Sequence, residues 1–519
     1  MKKALSILLC AASLLGLLAG CKNGQEGPYV PTGNALSGDD GPVILTPELP
    51  QTSQEMQLTY YAEKTLNPYE CTDFTNRTLF SLLYQSLFIV DREYNTEPML
   101  CQKYTMTADM TTYTFYAEKA TFSDGTTLTD RDVAASLNAA KVSTVYKGRF
   151  THIDTITALD TGGVEVKLTT PMENLPLLLD IPIVKETQVT LDRPLGTGPY
   201  ILDEAGNNPI LRRRDNWWCS ANMAVTANAI ALKKATDNAQ IRDSFEFEGL
   251  SLVCADPGSD KYADFRCDYE LWDIENNIFL YLACNMNSMV FSNDAVRSAL
   301  PMAVDRDTIV AEFYRGFARS ATLPASPLSK NYNDTLASRY AYDGGGALNT
   351  AVSNEEMVAK EIIFLVNSDD SLRVRVAKKI AQSLTAAGLV VKLSALPTAQ
   401  YMQALQQGIY DIYLGQTKLS PNMDLSQFFT MGGSLCYGSM DNVALRTMCT
   451  ESLANYGNYY TLHQSVLNDG RLCPILFRSY AIYATRGLVT DLTPTRDSVF
   501  YYSLGKTMEG AKAELPAEN

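Results

Sequence analysis

The sequence predicts an α/β protein, because segments with the two-residue period of strands alternate with segments of helical period along most of the chain. The clearest case is residues 360–396, "KEIIFLVNSDDSLRVRVAKKIAQSLTAAGLVVKLSAL", where an apolar strand, an amphipathic helix ended by Gly388 and a second strand follow one another. This order predicts a right-handed βαβ unit with parallel strands. A chain of 519 residues with 46% hydrophobic residues can bury a large core and has room for two or three domains.

The first predicted strand and helix lie near the start of the folded part. The stretch "QLTYYAE" (57–63) alternates as a strand does, and Asn67-Pro68 ends it. From Thr72, "TDFTNRTLFSLLYQSL" has helical spacing, and either Thr72 or Asp73 can cap the helix. Its apolar stripe consists of Leu79, Leu82, Leu83 and Leu87.

Residues 111–140 are expected to run from a strand through a tight turn into a helix. Asp124-Gly125 supplies the turn, because glycine adopts positive φ at no steric cost. Thr129 and Asp132 have the spacing of a capping box at the start of the helix. The turn is therefore interpreted as scaffold rather than as part of a site.

Residues 1–20 have the features of a bacterial lipoprotein signal peptide. Lys2 and Lys3 form a positive n-region, and the apolar run that follows is too short for a comfortable membrane span. The tetrapeptide "LAGC" (18–21) looks like a lipobox, in which cleavage before the cysteine accompanies acylation of its thiol. Cys21 is the expected lipidation site, and several acyl chains together supply a stable anchor. The alternative is an ordinary signal peptide with an incidental cysteine.

Residues 21–55 are rich in Gly, Pro, Ser, Thr and Asp and show little periodicity, which is typical of a flexible tether. No later stretch approaches about 18 uninterrupted apolar residues, so the sequence predicts no further membrane span. The folded part is therefore expected outside the cytoplasm, held by lipid to the outer face of the cell membrane.

Charge and composition disfavour several classes of function. The formal charge of −15 disfavours nucleic acid as a partner, because binding to phosphates needs clustered Lys and Arg. The basic cluster "LRRRDN" (211–216) is interpreted as solvated strand ends. His152 and His463 lie far apart and no G-x-S-x-G elbow occurs, so no metal site, cofactor or enzymatic activity is expected.

Five stretches in collinear order make the chain recognisable. It resembles the family 5 extracellular solute-binding proteins, the oligopeptide, dipeptide and nickel receptors of ABC importers. The stretches are "TLNPYECTDFTNRTLFSLLYQSLFIVDREYNTEPMLCQKY", "YTFYAEKATFSDGTTLTDRDVAASL", "PLGTGPYIL", "FLYLACNMNSMVFSNDAVRSALPMAVDRDTIV" and "YDIYLGQTKLSPNMDLSQFF". The resemblance covers the chain from about residue 56 to its end.

The resemblance implies a two-lobe fold of the type II periplasmic-binding-protein kind, with an extra subdomain in the first lobe and the ligand enclosed between the lobes. The expected division is 56–270 for the first lobe, 271–475 for the second lobe and 476–519 for a return to the first.

The implied function is a monomeric receptor that binds a small peptide or peptide-like solute and delivers it to an ABC permease and its ATPase. Two alternatives remain open at this point. One is a peptide-sensing or chaperone-like lipoprotein on the same fold. The other is a lipid-anchored hydrolase, which would need a nucleophile and a base in one cleft.

The resemblance also implies ligand contacts on the first lobe. Relatives grip the ligand backbone with the stretch after the Asn-Pro, which here is Thr72, Asp73 and Phe74. Asp73 is equally well explained as a helix cap alone. Tyr146 lies near the place where an aromatic residue often lines the pocket, with a role in the aromatic core as the alternative.

On the second lobe, the loop after "YDIYLG" is expected to face the cleft. The implied contacts are Gln416, Thr417, Lys418, Leu419 and Asn422. Peptide receptors commonly place an aspartate in this loop, after a tryptophan, to pair with a ligand ammonium. This sequence departs from that pattern, and Asp424 aligns with a later acidic position. Lys418 is interpreted either as a positive anchor for anionic ligands or as a solvated loop lysine.

Two further segments take their expected roles from the resemblance. The loop "GTGPY" (196–200) lies near the cleft in this family, although a packing turn explains its glycines equally well. A helix is predicted over 296–310 in the core of the second lobe, with its charged residues on a solvated face. Its apolar positions are Val296, Leu300, Ala303 and Val304.

Eleven cysteines leave nine once Cys10 and Cys21 are set aside, so at least one thiol is free or pairs between chains. Cys436 and Cys449 are a candidate disulfide, because relatives sometimes bridge this region and an oxidising exterior would favour the bond. The alternative is that both are reduced.

Overall fold

The computed structural model describes residues 56–206, 208–221, 223–225, 227–258, 265–486, 494, 498–499, 503–504 and 513–514. The expected signal peptide (1–20), the tether (21–55) and Cys21 lie outside these residues. Among the helices that the structure describes, none combines the length and hydrophobicity that a membrane crossing requires.

Strands lie mainly where the sequence alternates or runs apolar, as their two-residue period requires. In the described residues they are β1 (Met56–Tyr60), β2 (Gln85–Ser86), β3 (Phe88–Val90), β4 (Thr96–Pro98), β5 (Cys101–Met106), β6 (Thr112–Ala117), β7 (Ile153–Ala158), β8 (Val164–Leu168), β9 (Pro182–Ile183), β10 (Tyr200–Asp203), β11 (Ile210–Arg213), β12 (Met223–Ala224), β13 (Ala229–Lys234), β14 (Leu252–Ala255), β15 (Tyr269–Cys284), β16 (Ala318–Ser320), β17 (Glu361–Asn367), β18 (Val390–Leu396), β19 (Ile412–Lys418), β20 (Leu472–Thr485), β21 (Ser503–Leu504) and β22 (Ala513–Glu514).

Helices begin mostly at Asp, Asn or Thr caps, whose side chains accept the first free backbone N–H groups. They are α1 (Phe74–Arg77), α2 (Phe80–Leu83), α3 (Asp130–Val142), α4 (Asn238–Phe247), α5 (Asp294–Ala299), α6 (Arg306–Tyr314), α7 (Asp334–Ser338), α8 (Gly346–Asn354), α9 (Ser371–Ala386), α10 (Thr398–Gln407), α11 (Ser426–Phe429), α12 (Val443–Ala454) and α13 (Tyr459–Asp469). Short 3₁₀ turns cover Lys147–Phe150, Leu175–Leu178, Glu186–Gln188, Leu300–Ala303 and Tyr456–Asn458.

The first lobe is built on two sheets. A four-stranded sheet has the order β1-β13-β11-β10, with β1 and β13 parallel. A five-stranded sheet has the order β22-β5-β6-β8-β7 and forms the extra subdomain. Buried residues of both sheets belong to one hydrophobic core, for example Leu58 of β1 and Phe115 of β6.

A mixed seven-stranded sheet has the order β14-β20-β15-β19-β17-β18, and β16 pairs with β20. Its strands β16 to β19, with parts of β15 and β20, form the second lobe. Alternate residues of its strands enter separate cores on the two faces, as the period of two requires. Leu282 of β15 and Leu414 of β19 belong to one core, whereas Tyr281 and Tyr413 belong to the other.

The long strands β15 and β20 connect the two lobes. Ile274 and Ile482 lie in the first-lobe core, whereas Leu280 and Leu476 lie in a second-lobe core. The pairing register shifts between Glu275 and Phe279, and Asn277 within this bulge has φ +56°. The change from one core to the other therefore falls at the bulge.

Several local predictions are confirmed. β17 and β18 are parallel and α9 lies between them, so residues 360–396 form the expected βαβ unit. Gly388 has φ +104° directly after the helix cap. Thr129 and Asp132 form the capping box of α3, because the side chain of each residue accepts a hydrogen bond from the backbone N–H of the other residue.

The single helix predicted over 296–310 is wrong. The chain forms α5, a 3₁₀ turn and α6 instead. Pro301 lacks the N–H that a continuing helix needs, and Asp305 caps a new helix by accepting from the N–H of Thr308. The helix predicted from Thr72 is likewise two short helices, α1 and α2, and the cap of the first is Asp73.

The expected solvation of three arginines is also wrong. Arg214, Arg297 and Arg306 are buried and donate to backbone carbonyls. The Arg306 guanidinium, for example, reaches the carbonyl of Pro474 at 3.0 Å and that of Pro301 at 2.9 Å. Burial lowers the pKa of Arg306 and Arg214. These side chains hold loops together instead of facing water.

The loop over 196–200 packs against α2. A Cβ atom added at Gly196 would lie 2.2 Å from the carbonyl oxygen of Leu83, and one at Gly198 would lie 2.5 Å from that of Leu82. The glycines are therefore explained by close backbone packing, and the structure does not place this loop at the cavity that is described below.

We predict that Gly196→Ala destabilises the fold by about 1–3 kcal/mol, because the added methyl group would overlap a backbone oxygen that cannot move freely. Gly148→Ala is the matched control, since nothing lies within 4 Å of a Cβ at that position. Urea unfolding followed by circular dichroism measures both. Equal unfolding midpoints for the two variants would contradict the packing role of Gly196.

Candidate functional site

A cavity of about 660 Å³ lies beside the end of β14 and is called the cleft. Three segments line it: the chain from the end of β1 to α1, the start of α4, and the end of β14 with Phe265. The lining residues are Tyr61, Lys64, Asp73, Phe74, Thr75, Thr236, Asp237, Asn238, Ala239, Ile241, Arg242, Val253, Cys254, Ala255, Asp256 and Phe265.

Asp73 is held in the cleft wall by two interactions. Its carboxylate accepts from the backbone N–H of Asn76 at 3.1 Å, which caps α1, and it forms an ion pair with Lys64. The Lys64 ammonium also lies 3.8 Å from the centre of the Tyr61 ring. The charges on this side of the cleft are therefore paired.

The start of α4 supplies a second polar wall. Asp237 caps this helix and accepts from the N–H of Gln240 at 2.8 Å, while the Tyr61 hydroxyl donates to the Asn238 side chain at 2.8 Å. Burial, together with the negative charges of Asp73 and Asp237, raises the pKa of Tyr61 to about 12. Tyr61 is thus a neutral hydrogen-bonding group at neutral pH.

Asp256 connects the cleft to the strands that join the lobes. One terminal nitrogen of Arg478 lies 2.7 Å from each carboxylate oxygen of Asp256, and the other donates to the Gln416 side chain at 3.2 Å. Burial alone would lower the pKa of Arg478, but the Asp256 carboxylate outweighs it and raises the pKa. Arg478 lies on β20 and Gln416 on β19, so this network ties the cleft wall to the second-lobe sheet.

Two phenylalanines of the cleft lining pack against tyrosines of β20. The rings of Phe74 and Tyr480 have centroids 3.8 Å apart, and Phe265 packs edge-on against Tyr483 at 4.6 Å. Aromatic faces beside hydrogen-bonding groups suit a solute that carries both polar and apolar parts. Within the described ranges, no group of three or more His, Cys, Asp or Glu side chains has an arrangement that could hold a metal ion.

The structure brings together some of the first-lobe residues that were expected to contact the ligand. Asp73 and Phe74 line the cleft, whereas Thr72 is exposed and lies outside the lining. Tyr146 is buried in a separate pocket of about 70 Å³, where the guanidinium of Arg149 lies 5.1 Å from its ring. Tyr146 therefore lies outside the cleft, in a position that fits the aromatic-core alternative.

The second-lobe residues separate into three groups. Gln416 bonds Arg478, as described above, and so reaches the cleft network. Thr417 pairs with Phe279 within the sheet, and Lys418 is exposed at the end of β19; neither lines the cleft.

Leu419 and Asn422 belong to the protein interior. Leu419 is part of a hydrophobic core. The Asn422 side chain accepts from the Ser420 hydroxyl at 2.6 Å, and its carbonyl accepts from the Tyr459 hydroxyl. Their burial removes both residues from the candidate site.

Asp256, Arg478 and Tyr480 were not found from the sequence. Arg478 did leave a signal, because it is the one charged residue in the apolar stretch "LCPILFRSYAIYAT" (472–485). A buried charge is costly unless it is paired, so an isolated charge in such a strand indicates a specific partner. Asp256 lies in a loop and gave no comparable signal.

The expected disulfide between Cys436 and Cys449 is not formed, because both are free cysteines in the structure. The physical reason is their orientation: the Cys449 thiol, on α12, faces the backbone of Leu425, whereas the Cys436 thiol faces the backbone of Met440 and Asp441. The remaining cysteines of the described chain are free as well.

The comparison with protein families decides the assignment. The model of the bacterial extracellular solute-binding proteins, family 5 Middle, matches residues 95–437. The chain belongs to this family. The match includes the whole five-stranded sheet except β22, most of the second-lobe sheet and Gln416.

One curated relative of this family 5 solute-binding protein matches about half of the chain. The glutathione-binding protein GsiB of Escherichia coli (strain K12) is 25% identical over 282 residues, which are 50% of this chain and 53% of GsiB. The match thus spans about half the length of the curated relatives.

Two solved structures show the same two-lobe fold. HbpA2 from Haemophilus parasuis has a TM-score of 0.70 and 16% identity, covering 87% of this chain and 99% of that chain. A putative peptide binding protein, AppA from Clostridium difficile, has a TM-score of 0.69 and 15% identity, covering 87% of this chain and 100% of that chain.

We predict that Cys436 and Cys449 are both alkylated in concentrated guanidinium chloride without any reductant. In the folded protein both should react slowly at about pH 8, because burial raises the pKa of each thiol and the thiolate is the reactive form. Cys449 should be the slower, since it is the more deeply buried. Peptide mapping measures both rates, and recovery of a disulfide-linked peptide would contradict the free thiols.

Proposed function

We propose that this protein is a lipid-anchored, extracytoplasmic receptor that binds a peptide or peptide-like solute in the cleft and delivers it to an ABC permease and its ATPase. The observation that carries the proposal is the network that connects the cleft wall to the second-lobe sheet. Asp73, Phe74 and Asp256 line the cavity, Arg478 of β20 donates to Asp256, and Gln416 of β19 accepts from Arg478. Family membership supports the same role.

Lobe closure is the mechanism that we propose for solute capture. A solute that contacts both lobes at once stabilises the closed arrangement over the open one, and the permease then recognises the loaded receptor. We propose the boundaries 56–270, 271–475 and 476–519 for the lobes, which leave β15 and β20 as the connection. The bulge between Glu275 and Phe279 supports bending of the two connecting strands at that point, because a bulge interrupts the ladder of hydrogen bonds between them.

The chemistry of the cleft supports a peptide-like solute. Its volume lies within the range of about 300–1,000 Å³ that is usual for small-molecule sites. Paired charges, the Asn238 amide and aromatic rings can receive amide groups and apolar side chains together. The distant relatives include a glutathione-binding protein and a putative peptide binding protein, which supports the same solute class.

We predict that Phe74→Ala weakens binding of the best peptide by about tenfold, because it removes a ring that lines the cleft and packs against Tyr480. Phe247→Ala is the matched control, since it removes a ring of the same size from a side chain that is 77% exposed on α4. Isothermal titration calorimetry with glutathione and a panel of short peptides measures both, after circular dichroism has shown that both variants fold.

An equal effect of the two substitutions would contradict the proposed position of the cleft. If no peptide binds the wild type, native mass spectrometry of protein purified from its own host shows which solute it retains. A retained non-peptide solute would contradict the peptide class and leave solute binding intact. Binding without uptake of the same peptide by cells would contradict delivery to a permease and favour peptide sensing.

We predict that Cys21→Ala moves the protein from the membrane fraction to the soluble extracytoplasmic fraction, because the acylated thiol is the proposed anchor. Cys10→Ala is the control and should leave the protein membrane-bound, since Cys10 lies within the proposed signal peptide. Cell fractionation with immunoblotting measures the distribution. A Cys21→Ala protein that is processed and stays in the membrane pellet would contradict the lipid tether.

A further inference from the structure

A second cavity, of about 360 Å³, lies where the turn between β3 and β4 meets the second lobe, and it is called the turn cavity. Glu93 of that turn and Asn174, which follows β8, line it from the first lobe. Lys330 and Asn331, which precede α7, and Tyr456, which follows α12, line it from the second lobe. None of its lining residues lines the cleft, so the two cavities have separate walls.

The first-lobe wall is fixed by hydrogen bonds of the turn between β3 and β4. The Asp91 carboxylate accepts from the backbone N–H and from the side-chain amide of Asn95, each at 2.8 Å, which closes the turn. Tyr94 lies within the turn at φ +65°, a backbone conformation that is costly for a bulky side chain. Its hydroxyl lies 2.5 Å from the side-chain oxygen of Asn277 in the bulge of β15. Glu93 therefore projects from a backbone that is anchored to a connecting strand.

The second-lobe wall is fixed by two buried serines. The Ser326 hydroxyl accepts from the backbone N–H of Leu328 at 3.1 Å, and the Ser329 hydroxyl accepts from the backbone N–H of Asn331 at 3.2 Å. Lys330 lies between Ser329 and Asn331. Its backbone is thus held in a defined turn, as that of Glu93 is on the opposite wall.

The two walls are also held against each other. The backbone N–H of Glu173 donates to the carbonyl of Leu453 at 2.8 Å, and the Glu173 carboxylate accepts from the backbone N–H of Tyr456 at 2.9 Å. Leu177, which lines the turn cavity, is buried in the same hydrophobic core as Phe279 of β15. The turn cavity is therefore pre-organised by contacts between the lobes, which lowers the cost of ordering its walls around a solute.

Opposite charges line the turn cavity from opposite lobes. Glu93 contributes a carboxylate and Lys330 an ammonium group, and both residues are exposed. In the part of the chain that the structure describes, neither charged group has an ion-pair or hydrogen-bond partner. Asp73 and Asp256 of the cleft, by contrast, each have a cationic partner. The turn cavity thus offers one charge of each sign to a solute.

Two amides add hydrogen-bonding groups beside these charges. The side chains of Asn174 and Asn331 line the cavity, and neither forms a hydrogen bond with another described residue. An amide both donates and accepts, so it can bond a carboxylate oxygen or an ammonium group. Asn331 is the direct neighbour of Lys330, which favours a carboxylate on that wall.

We propose that the turn cavity is a second binding site for a small zwitterion of the amino acid class, with its ammonium group at Glu93 and its carboxylate at Lys330. A solute with a single charge would displace water from both walls and leave one charge without a partner, which is costly. The volume lies near the lower end of the usual range of about 300–1,000 Å³ for small-molecule sites, which suits one small molecule. The proposal goes beyond solute binding in the cleft and does not depend on it.

Isothermal titration calorimetry on the full-length protein in detergent tests the site with amino acids that lack a peptide bond. Glycine, β-alanine, γ-aminobutyrate and δ-aminovalerate carry the same two charges at increasing separation, whereas butylamine and butyrate carry only one charge each. The variants are Glu93→Gln, Lys330→Gln and the exchanged pair, Glu93→Lys together with Lys330→Glu. Lys360→Gln and Glu361→Gln are the matched controls, because they remove exposed charges at the start of β17, outside the cavity.

We expect one member of the series to bind most tightly, and butylamine and butyrate to bind at least about tenfold more weakly, because each forms only one charge-assisted contact. Glu93→Gln and Lys330→Gln should each weaken binding of the best zwitterion by about tenfold, for the same reason. The exchanged pair should restore binding, since a zwitterion can reverse its direction between the walls. Both control substitutions should leave the affinity unchanged.

Three results would overturn the site, once circular dichroism has shown that the variants fold. The first is that no member of the series binds the wild type, or that butylamine or butyrate binds as tightly as the best zwitterion. The second is wild-type affinity in Glu93→Gln or Lys330→Gln, or an exchanged pair that does not bind. The third is a loss of binding in Phe74→Ala, which would place the zwitterion in the cleft. Failure of peptide binding in the cleft leaves this experiment unaffected, so the two proposals fail independently.

Discussion

The antiparallel pair of β15 and β20 is shared by both lobes, and the separation of the two cores depends on it. Pairing continues on both sides of the bulge, so the strands are fixed to each other while Ile274 faces one core and Leu280 faces another. A continuous ladder would make one rigid body of the two lobes. Register shifts between Glu275 and Phe279 and again between Leu280 and Tyr281 relax that constraint locally without loss of the strand order.

Buried charge fixes the chain directly before this bulge. Arg92, from the turn between β3 and β4, donates to Asp273 at 2.6 Å, and Arg319 of β16 lies 3.6 Å from the same carboxylate. Tyr94 donates to the neighbouring Glu275. Carboxylates at this depth are tolerated because cationic and hydrogen-bonding groups surround them. The bulge is thus held from the first-lobe turn and from the second-lobe sheet at once.

The sequence predicted those features that a few neighbouring residues determine. The βαβ unit, the turn at Gly388 and the capping box of Thr129 and Asp132 depend on local periodicity and local hydrogen bonds, and all three are present. Asp73 was expected both as a cap and as a cleft residue, and its geometry allows both because a cap carboxylate at a helix start also faces outward.

The errors concern residues whose partners are distant in sequence. Arg306 bonds the carbonyl of Pro474, and Arg478 bonds Asp256, across separations that no local pattern reports. Asn422 was expected to contact the solute from the position of its loop, and its backbone carbonyl accepts from the Tyr459 hydroxyl of α13. The thiols of Cys436 and Cys449 face the backbone of different segments, Met440 and Asp441 for the first and Leu425 for the second.

The second-lobe loop shows how this chain redistributes its acidic groups. The loop after β19 begins with uncharged residues next to Lys418, and its first acid, Asp424, is engaged by His152. The carboxylate nearest to Gln416 in the cleft network is instead Asp256, which arrives from the end of β14 and is fixed by Arg478. Because Asp256 already has a cationic partner, a solute ammonium in the proposed site would meet a compensated carboxylate rather than a free one. Under that proposal, selection by charge alone would be weak, and the shape of the cleft with the Phe74 ring packed against Tyr480 would carry more of the discrimination between solutes.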